Sequence, residues 1–321
     1  WLLPNCEEAV RILMEAREKR QRVFVHGDYD VDGVTSTAIW ARALRRLGFN
    51  VVPHVPHRIK HGFGVHEDAV FEAMQQGAKV LLTCDCGSSA IEAVKRAKQF
   101  GMRVVITDHH EFGGELPAAD AIVNPHLPEN EYPFPHLSGA GVAFKVAQRV
   151  SEECGATPRQ FQRAFLDLAC VGTIADVVPL HGENRVIAHF GLQVLSRTKK
   201  VGLEALMRVA QIEPGAKVTS YDVGWRLGPR LNAAGRVDDA AIALQLMLTS
   251  DSEEAQRLAR RLDELNAERR AEELRILEQV EEFIQELNLE AEPLIMVFAE
   301  EWHRGVVGIV AGRISEKYNR P

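Results

Sequence analysis

The chain has 321 residues, of which 46% are hydrophobic and 26% charged, and its formal net charge is -7. The length suits two domains and the composition an ordinary soluble globular protein. No apolar run is long enough to span a bilayer, which excludes a role built on membrane-crossing helices, and the acidic balance alone argues against a nucleic-acid binder, whose footprint is usually basic.

In chain order, Arg22–Val25 predicts a short strand that runs into His26-Gly27-Asp28-Tyr29-Asp30-Val31-Asp32-Gly33. A helix follows, with Val34, Ala38, Ala41, Leu44 and Leu47 at helical spacing and Gly48 as its stop. Val51-Val52 predicts the next strand, Glu67–Gln76 a helix, and Lys79–Cys84 a strand ending at Asp85. Ser88 or Ser89 is placed to cap a helix through about Gln99. Arg103–Thr107 predicts a strand ending at Asp108-His109-His110, and Ala121–Val123 another, leading to Asn124-Pro125-His126. Such alternation implies an α/β fold with a mostly parallel sheet flanked by helices. These sheets bind ligands at the carboxyl ends of their strands, where three Asp and His clusters fall here.

Residues 139 to 210 read as mainly helical, Phe161–Thr173 most clearly. Residues 252–287 run without Gly or Pro and predict one helix of about ten turns. Its apolar positions keep no strict heptad, so it reads as a connector rather than a coiled coil. Leu294–Phe298 predicts a strand, and Trp302 onward the start of a second α/β domain. The expected division is a catalytic domain over 1–250 with a helical subregion from about 139, a connector over 251–290, and a truncated second domain over 291–321. The start at Trp1 carries neither an initiator Met nor a secretory signal, so the chain reads as a piece. Five cysteines, Cys6, Cys84, Cys86, Cys154 and Cys170, include no C-x-x-C pair and point to reduced thiols in the cytoplasm. Cys84 and Cys86, alternating with Asp85, read as packing residues.

His26-x-x-x-Asp30-x-Asp32 gathers three potential ligands within seven residues. Asp oxygens with a His nitrogen suit Mn²⁺, Mg²⁺ or Zn²⁺, and the lack of thiolates lowers the odds of a structural zinc. The competing readings are a solvated acidic loop or a lone Ca²⁺ loop. Asp28 lies in the same run, as a ligand or as a partner of a His. Asp85 alone would read as a helix cap. Asp108-His109-His110 at a strand end favours a metal. Asp176 sits in the apolar stretch Thr173–Val178, where a carboxylate needs a partner to offset its desolvation. Two His and four Asp exceed the needs of one ion and suit a pair about 4 Å apart, which would lower the pKa of a bridging water. His110 could instead orient a phosphate oxygen or assist proton transfer.

Gly224–Arg236 packs three Arg among three Gly, and Arg58-Ile59-Lys60-His61-Gly62 is a second basic stretch. Each alone could be solvated surface. Beside a two-metal site both become phosphate-binding candidates, with Arg58, Arg230, Asn232 and Arg236 to the fore.

These sets resemble, in order, the motifs of the DHH phosphoesterase superfamily, and residues 108–110 resemble its eponymous triplet. The resemblance runs from about residue 22 to the end of the chain. It implies that His26, Asp30, Asp32, Asp85, His109 and Asp176 hold metal, and that His110 is the active-site second His, with Asp108 and Asp28 beside it. The runs HGDYDVDGVTSTA, GPRLNAAGR and EWHRGVVGIVAGR are similar, more narrowly, to the superfamily's single-strand DNA exonucleases. That implies a 5′-to-3′ exonuclease of recombination and repair using two divalent ions, Mn²⁺ preferred and Mg²⁺ the substitute. Arg58 and Arg230 would grip the 5′ phosphate or nearby backbone. The implied partners are single-stranded DNA, a single-strand-binding protein and a recombination helicase, with no membrane. The alternatives are a relative acting on short oligonucleotides, cyclic dinucleotides or pyrophosphate, and a non-catalytic scaffold. Such exonucleases continue through a complete C-terminal domain and an OB-fold. The chain carries neither, which predicts a DNA channel open on one side.

Overall fold

The structure is a computed structural model describing residues 2–321 apart from 59–61, 63, 129 and 214. Part of the basic stretch after Arg58, Lys60 and His61 included, therefore lies outside the described residues.

Helix α1 (Cys6–Glu18) precedes strand β1 (Arg22–Gly27), and α2 (Val31–Arg46) leads to β2 (Asn50–His54). Then come α3 (Glu67–Gln75), β3 (Ala78–Cys84), α4 (Ile91–Gln99), β4 (Arg103–Thr107) and β5 (Ala121–Val123). The five strands form one parallel sheet in the order β2-β1-β3-β4-β5. Chain direction away from β1 reverses between β2 and β3, so a crevice opens above the carboxyl ends of β1 and β3, where such sheets take ligands.

Alternate residues of each strand serve opposite faces, as the two-residue period requires. Val23, Val25, Val80, Leu82 and Val105 join α1, α2 and the later helices in the main core. Phe24, Leu81, Val104 and Ile106 pack with Val70, Val94 and Ala97 of α3 and α4 on the other side. Both faces are covered, which explains the near-continuous apolar runs.

Helices α5 (Gly139–Glu153), α6 (Pro158–Ala175), α7 (Gly182–Leu195) and α8 (Val201–Val209) follow. Gly224–Arg236 is helical: a single turn at Ser220–Asp222, a π-turn at Val223–Leu227, then α9 (Gly228–Val237). After α10 (Ala241–Leu248), α11 (Ser252–Glu286) is one unbroken helix of 35 residues, N-capped by Asp251. Its first half, through Leu265, belongs to the main core. Its second half buries Ile276, Val280 and Ile284 in a separate cluster with Val306, Val310 and Ile314. The two halves of the helix therefore pack into different apolar clusters.

Two local expectations fail. Leu294–Phe298 forms no strand among the described residues, and Met296 and Phe298 are exposed, because no neighbouring strand pairs with the segment. Helix α12 (Val307–Tyr318) follows it. Neither Ser88 nor Ser89 caps α4, whose cap is Ala90 with no side-chain bond. Ser88 is committed elsewhere: its N–H donates to Asp108 Oδ2 (2.9 Å) and its hydroxyl accepts from Asn124 Nδ2 (2.9 Å). All five cysteines are free, and burial pushes the Cys84 thiol up to about 12.

Candidate metal centre and the cleft beside it

Four segments meet above the sheet: the loop after β1, the ends of β3 and β4, and the end of α6. Asp32 lies in the first turn of α2 and is buried. Its carboxylate accepts from two amides at the start of α5, Gly139 N–H (2.6 Å) and Ala140 N–H (2.9 Å). Asp85 directly follows β3 and is buried, with φ +61. A non-Gly residue in the left-handed region is uncommon and stores strain. This bend turns Asp85 into the crevice rather than making it a helix cap.

His109 follows β4. Its Nε2 lies 3.0 Å from Asp85 Oδ1, 3.7 Å from Asp32 Oδ2 and 3.7 Å from Asp176 Oδ2. Asp176 is the C-cap residue of α6. Ser138 and Thr173 share a hydroxyl hydrogen bond of 2.9 Å, which ties the start of α5 to the end of α6. That contact fixes Asp176 relative to Asp32. Gly139 is required by close approach, since a Cβ there would lie 2.5 Å from Asp85 Oδ1.

The donor set has the character of a cation site. Ligand atoms of Asp85, His109 and His110 form one compact group, and those of Asp32, His109 and Asp176 a second. Asp85 Oδ1 and His109 Nε2 are buried with no aligned hydrogen bond, although they are 3.0 Å apart. Burial pushes Asp32 and Asp85 well above the usual carboxylate range, and the neighbouring Asp charges add to it. Burial and then Asp30 push Asp176 up to about 7. Burial holds His109 down to about 4, so its ring is neutral and a hydrogen bond to the Leu137 backbone orients it. Buried carboxylates that repel one another, with a neutral imidazole among them, fit divalent cations, which would relieve both burial and repulsion.

Asp108 and His110 form a pair at the rim. Burial alone would raise Asp108, but the His110 bond and the Ser88 N–H bring it down to about 2. His110 donates from Nδ1 to Asp108 Oδ1 (2.9 Å), and that bond raises it to about 9 against its own burial. His110 is exposed and cationic at neutral pH. Asn124, at the end of β5, donates to Ser88 Oγ and to His110 O (3.0 Å), bracing the pair.

The remaining predicted ligands differ in their contacts. Asp30 caps α2, accepting from Gly33 N–H at 3.0 Å, and its charge acts on Asp28, Asp32, Asp85 and Asp176. Asp28 accepts from Tyr29 N–H (2.7 Å), and burial followed by Asp30 raises it to about 6. His26 is buried at the end of β1, with its ring nitrogens 2.9 Å from His54 Nδ1 and 3.0 Å from Gly64 O. It joins neither donor group, and ligating from Nε2 would require leaving Gly64 O.

Beside the centre lies a cleft of about 420 Å³, lined by Ala175, Trp225, Arg230, Asn232, Arg236, Asn266, Arg269, Arg270, Glu273 and Arg313 among others. Ala175, which precedes Asp176, lines the cleft, and Arg236 lies within electrostatic reach of Arg58, Tyr29 and Asp30, so the cleft adjoins the ligand loop. Arg58 lies over the Tyr29 ring at 4.9 Å, with Nη1 buried and without a hydrogen-bond partner among the described residues. Arg230 is partly engaged, by Asp263 Oδ1 (2.8 Å) and Arg226 O (2.7 Å). Asn232 Oδ1 accepts from Val31 N–H at 3.1 Å, joining α9 to the ligand loop. The third Arg of that stretch, Arg226, is spent on Asp222 and the carbonyls of Ala210 and Gln211. Sequence reasoning missed Arg269, Arg270 and Arg313. On a helix as charged as α11, Arg269 and Arg270 carry no local signal, and only folding sets them and Arg313 of α12 opposite α9.

Residues 22–173 match the DHH family, N-terminal domain. The chain is 40% identical over 319 residues to the single-stranded-DNA-specific exonuclease RecJ of Bacillus subtilis, covering 99% of this chain and 39% of that protein. It is 40% identical over 330 residues to RecJ of Haemophilus influenzae, covering 99% of this chain and 57% of that one. A crystal structure of exonuclease RecJ bound to manganese superposes with a TM-score of 0.88 at 38% identity, covering 99% of this chain and 79% of that one. The chain thus spans between 39% and 57% of the length of those two relatives.

Proposed function

The chain belongs to the DHH family and, within it, to the RecJ exonucleases, and from that premise we propose that it hydrolyses phosphodiester bonds of single-stranded DNA from the 5′ end in a metal-dependent reaction. The observation that carries this reading is the convergence of Asp32, Asp85, Asp176 and His109 on one point beside an arginine-lined cleft. These four side chains would hold the ions, Mn²⁺ by preference and Mg²⁺ as substitute, two of them because the donors form two groups sharing His109. Asp30 and His26 complete the set once their present partners are exchanged.

When bound, the cations supply Lewis acidity, lowering the pKa of water and offsetting charge on phosphoryl oxygens. The chain's own residues do the rest. His110, kept protonated by Asp108, offers a donor and a positive charge at the exposed rim, suited to a phosphate oxygen or to the leaving oxygen. Arg236 and Arg58 stand where the next phosphate would lie, and guanidinium forks suit that partner. The α5 amides hold Asp32 rigidly, so the carboxylate pays little reorganisation when a cation arrives.

The catalytic part is taken as 1–250, the connector as 251–290, and 291–321 as the beginning of a further domain. No helix among the described residues is long and apolar enough to cross a membrane, and the free thiols support a reducing, cytoplasmic setting. A single-strand-binding protein and a recombination helicase are the proposed protein partners.

The test is digestion of 5′- and 3′-labelled single strands with Mn²⁺ and with chelator. Metal-dependent release of mononucleotide from the 5′ end is expected. Rates that fall as the strand lengthens, with efficient cleavage of dinucleotides, cyclic dinucleotides or pyrophosphate, would replace this reading by that of a small-substrate hydrolase.

A further inference from the structure

Trp225 is 72% exposed and Tyr221 65% exposed, an unusual state for two large aromatics on a folded surface. Their ring centroids are 6.5 Å apart, with planes at 36°. Trp225 sits within the π-turn Val223–Leu227 and Tyr221 just before it, and the turn's two end residues are fully buried. The turn is thus pinned at both ends while Trp225, between them, stands in solvent. π-turns of this kind are often found at functional sites. Trp225 also lines the cleft that holds Arg230, Arg236, Arg269, Arg270 and Arg313.

An exposed, pre-positioned aromatic beside a row of guanidinium groups is what a single strand needs: charge along its backbone and a flat apolar face for a base. Duplex DNA has no free base face to offer such a ring. We infer that Trp225, backed by Tyr221, is a stacking platform that holds a base of the strand while the cleft arginines track its phosphates. The inference rests on the proposed single-strand reading and adds to it a positioning residue that acts on substrate binding rather than on bond cleavage.

The experiment follows hydrolysis of a 5′-phosphorylated oligothymidylate in Mn²⁺ by the full 321-residue chain, Trp225→Ala and Trp225→Phe. Losing one base–aromatic stack should raise KM about tenfold for Trp225→Ala with kcat kept, and Trp225→Phe should stay close to the unaltered chain. A strand made abasic beyond its 5′ nucleotides should raise KM for the unaltered chain by a similar factor and leave Trp225→Ala unaffected, because the partner of the ring is already gone. Equal KM for the unaltered chain and Trp225→Ala overturns the platform while leaving the exonuclease reading intact. So does an abasic penalty that is the same in both proteins. If the unaltered chain cleaves no single strand, the functional reading fails and the platform falls with it. A melt of each variant separates misfolding from lost stacking, and where Trp225→Ala does not fold, Trp225→Leu, which keeps bulk without a stacking face, takes its place with the same expected rise in KM and the same overturning result.

Discussion

Replacing Asp176 by Asn should make the metal-free protein more stable while abolishing hydrolysis. In the folded chain, burial and the Asp30 charge push the Asp176 carboxyl up to about 7, against an ordinary value of 3.8. A carboxyl raised in this way binds its proton in the folded state at a pH where the unfolded chain has released it. Stability is therefore highest below about pH 4, falls as pH climbs through the interval up to about 7, and is level above it. Three pH units correspond to about 4 kcal/mol. The side chain is 20% exposed and partly screened, so about 1–2 kcal/mol is the working figure. Asn mimics the protonated form and escapes the penalty. In chelator at about pH 8, the variant should melt roughly 2–4 °C above the unaltered chain, and the gain should vanish near pH 4. Saturating Mn²⁺ should reverse the order, since only the unaltered chain keeps the full donor set, and ligand at about 100 times Kd adds about 2.7 kcal/mol. A variant that melts no higher than the unaltered chain in chelator at about pH 8 would refute the claim that these carboxylates repel one another in a site built for cations.

Asp108→Asn removes the charge, and with it the charge-assisted hydrogen bond, that raises His110 to about 9. The rate should fall about 10–100-fold, as for a lost supporting carboxylate, and the alkaline limb of the pH–rate profile should move to lower pH. Gly139→Ala would set a Cβ 2.5 Å from Asp85 Oδ1. It should cost about 1–3 kcal/mol in urea unfolding and lower Mn²⁺ affinity by calorimetry, because relief requires Asp85 to move. Lys200→Met leaves the buried Asp167 without the ammonium that now lies 2.8 Å from both carboxylate oxygens. A loss of about 3–5 kcal/mol in stability is expected, with the specific activity of the folded fraction unchanged.

The sheet and the strand-end clusters were legible because both rest on short-range rules. Apolar runs of five to seven residues bounded by Gly predict buried strands, and Asp85 and Asp108-His109-His110 fall directly after them. The long helix α11 was legible for want of any breaker. What escaped depends on contacts between distant segments. Nothing local to Ser88 says that its N–H serves Asp108 rather than α4. His26 reads as a ligand from spacing, but nothing local foretells that its ring nitrogens meet His54 and Gly64, which arrive from β2 and the following loop. Leu294–Phe298 has the composition of a strand, but a strand needs a neighbour to pair with, and none stands beside it among the described residues. The Asp32 cradle at Gly139 and Ala140 lies more than a hundred residues from its carboxylate.

The net charge of -7 and the proposed DNA substrate are compatible because the charges are segregated. Asp28, Asp30, Asp32, Asp85 and Asp176 are gathered around the metal centre, where they repel phosphate until cations are present. The arginines of α9, α11 and α12 face one cleft, and the one buried carboxylate there, Glu273, pairs with Arg269 and with Arg313 Nη2 (2.7 Å). Glu273 holds those guanidinium groups in place and leaves Arg270 and Arg236 to complete the wall. On the proposed reading, phosphates along the cleft would be attracted with or without metal, while the scissile phosphate would be accepted only when cations occupy the centre. A strand would then be held by its backbone before the site is armed, and the proposed cleavage would fall at the end that reaches His109 and His110.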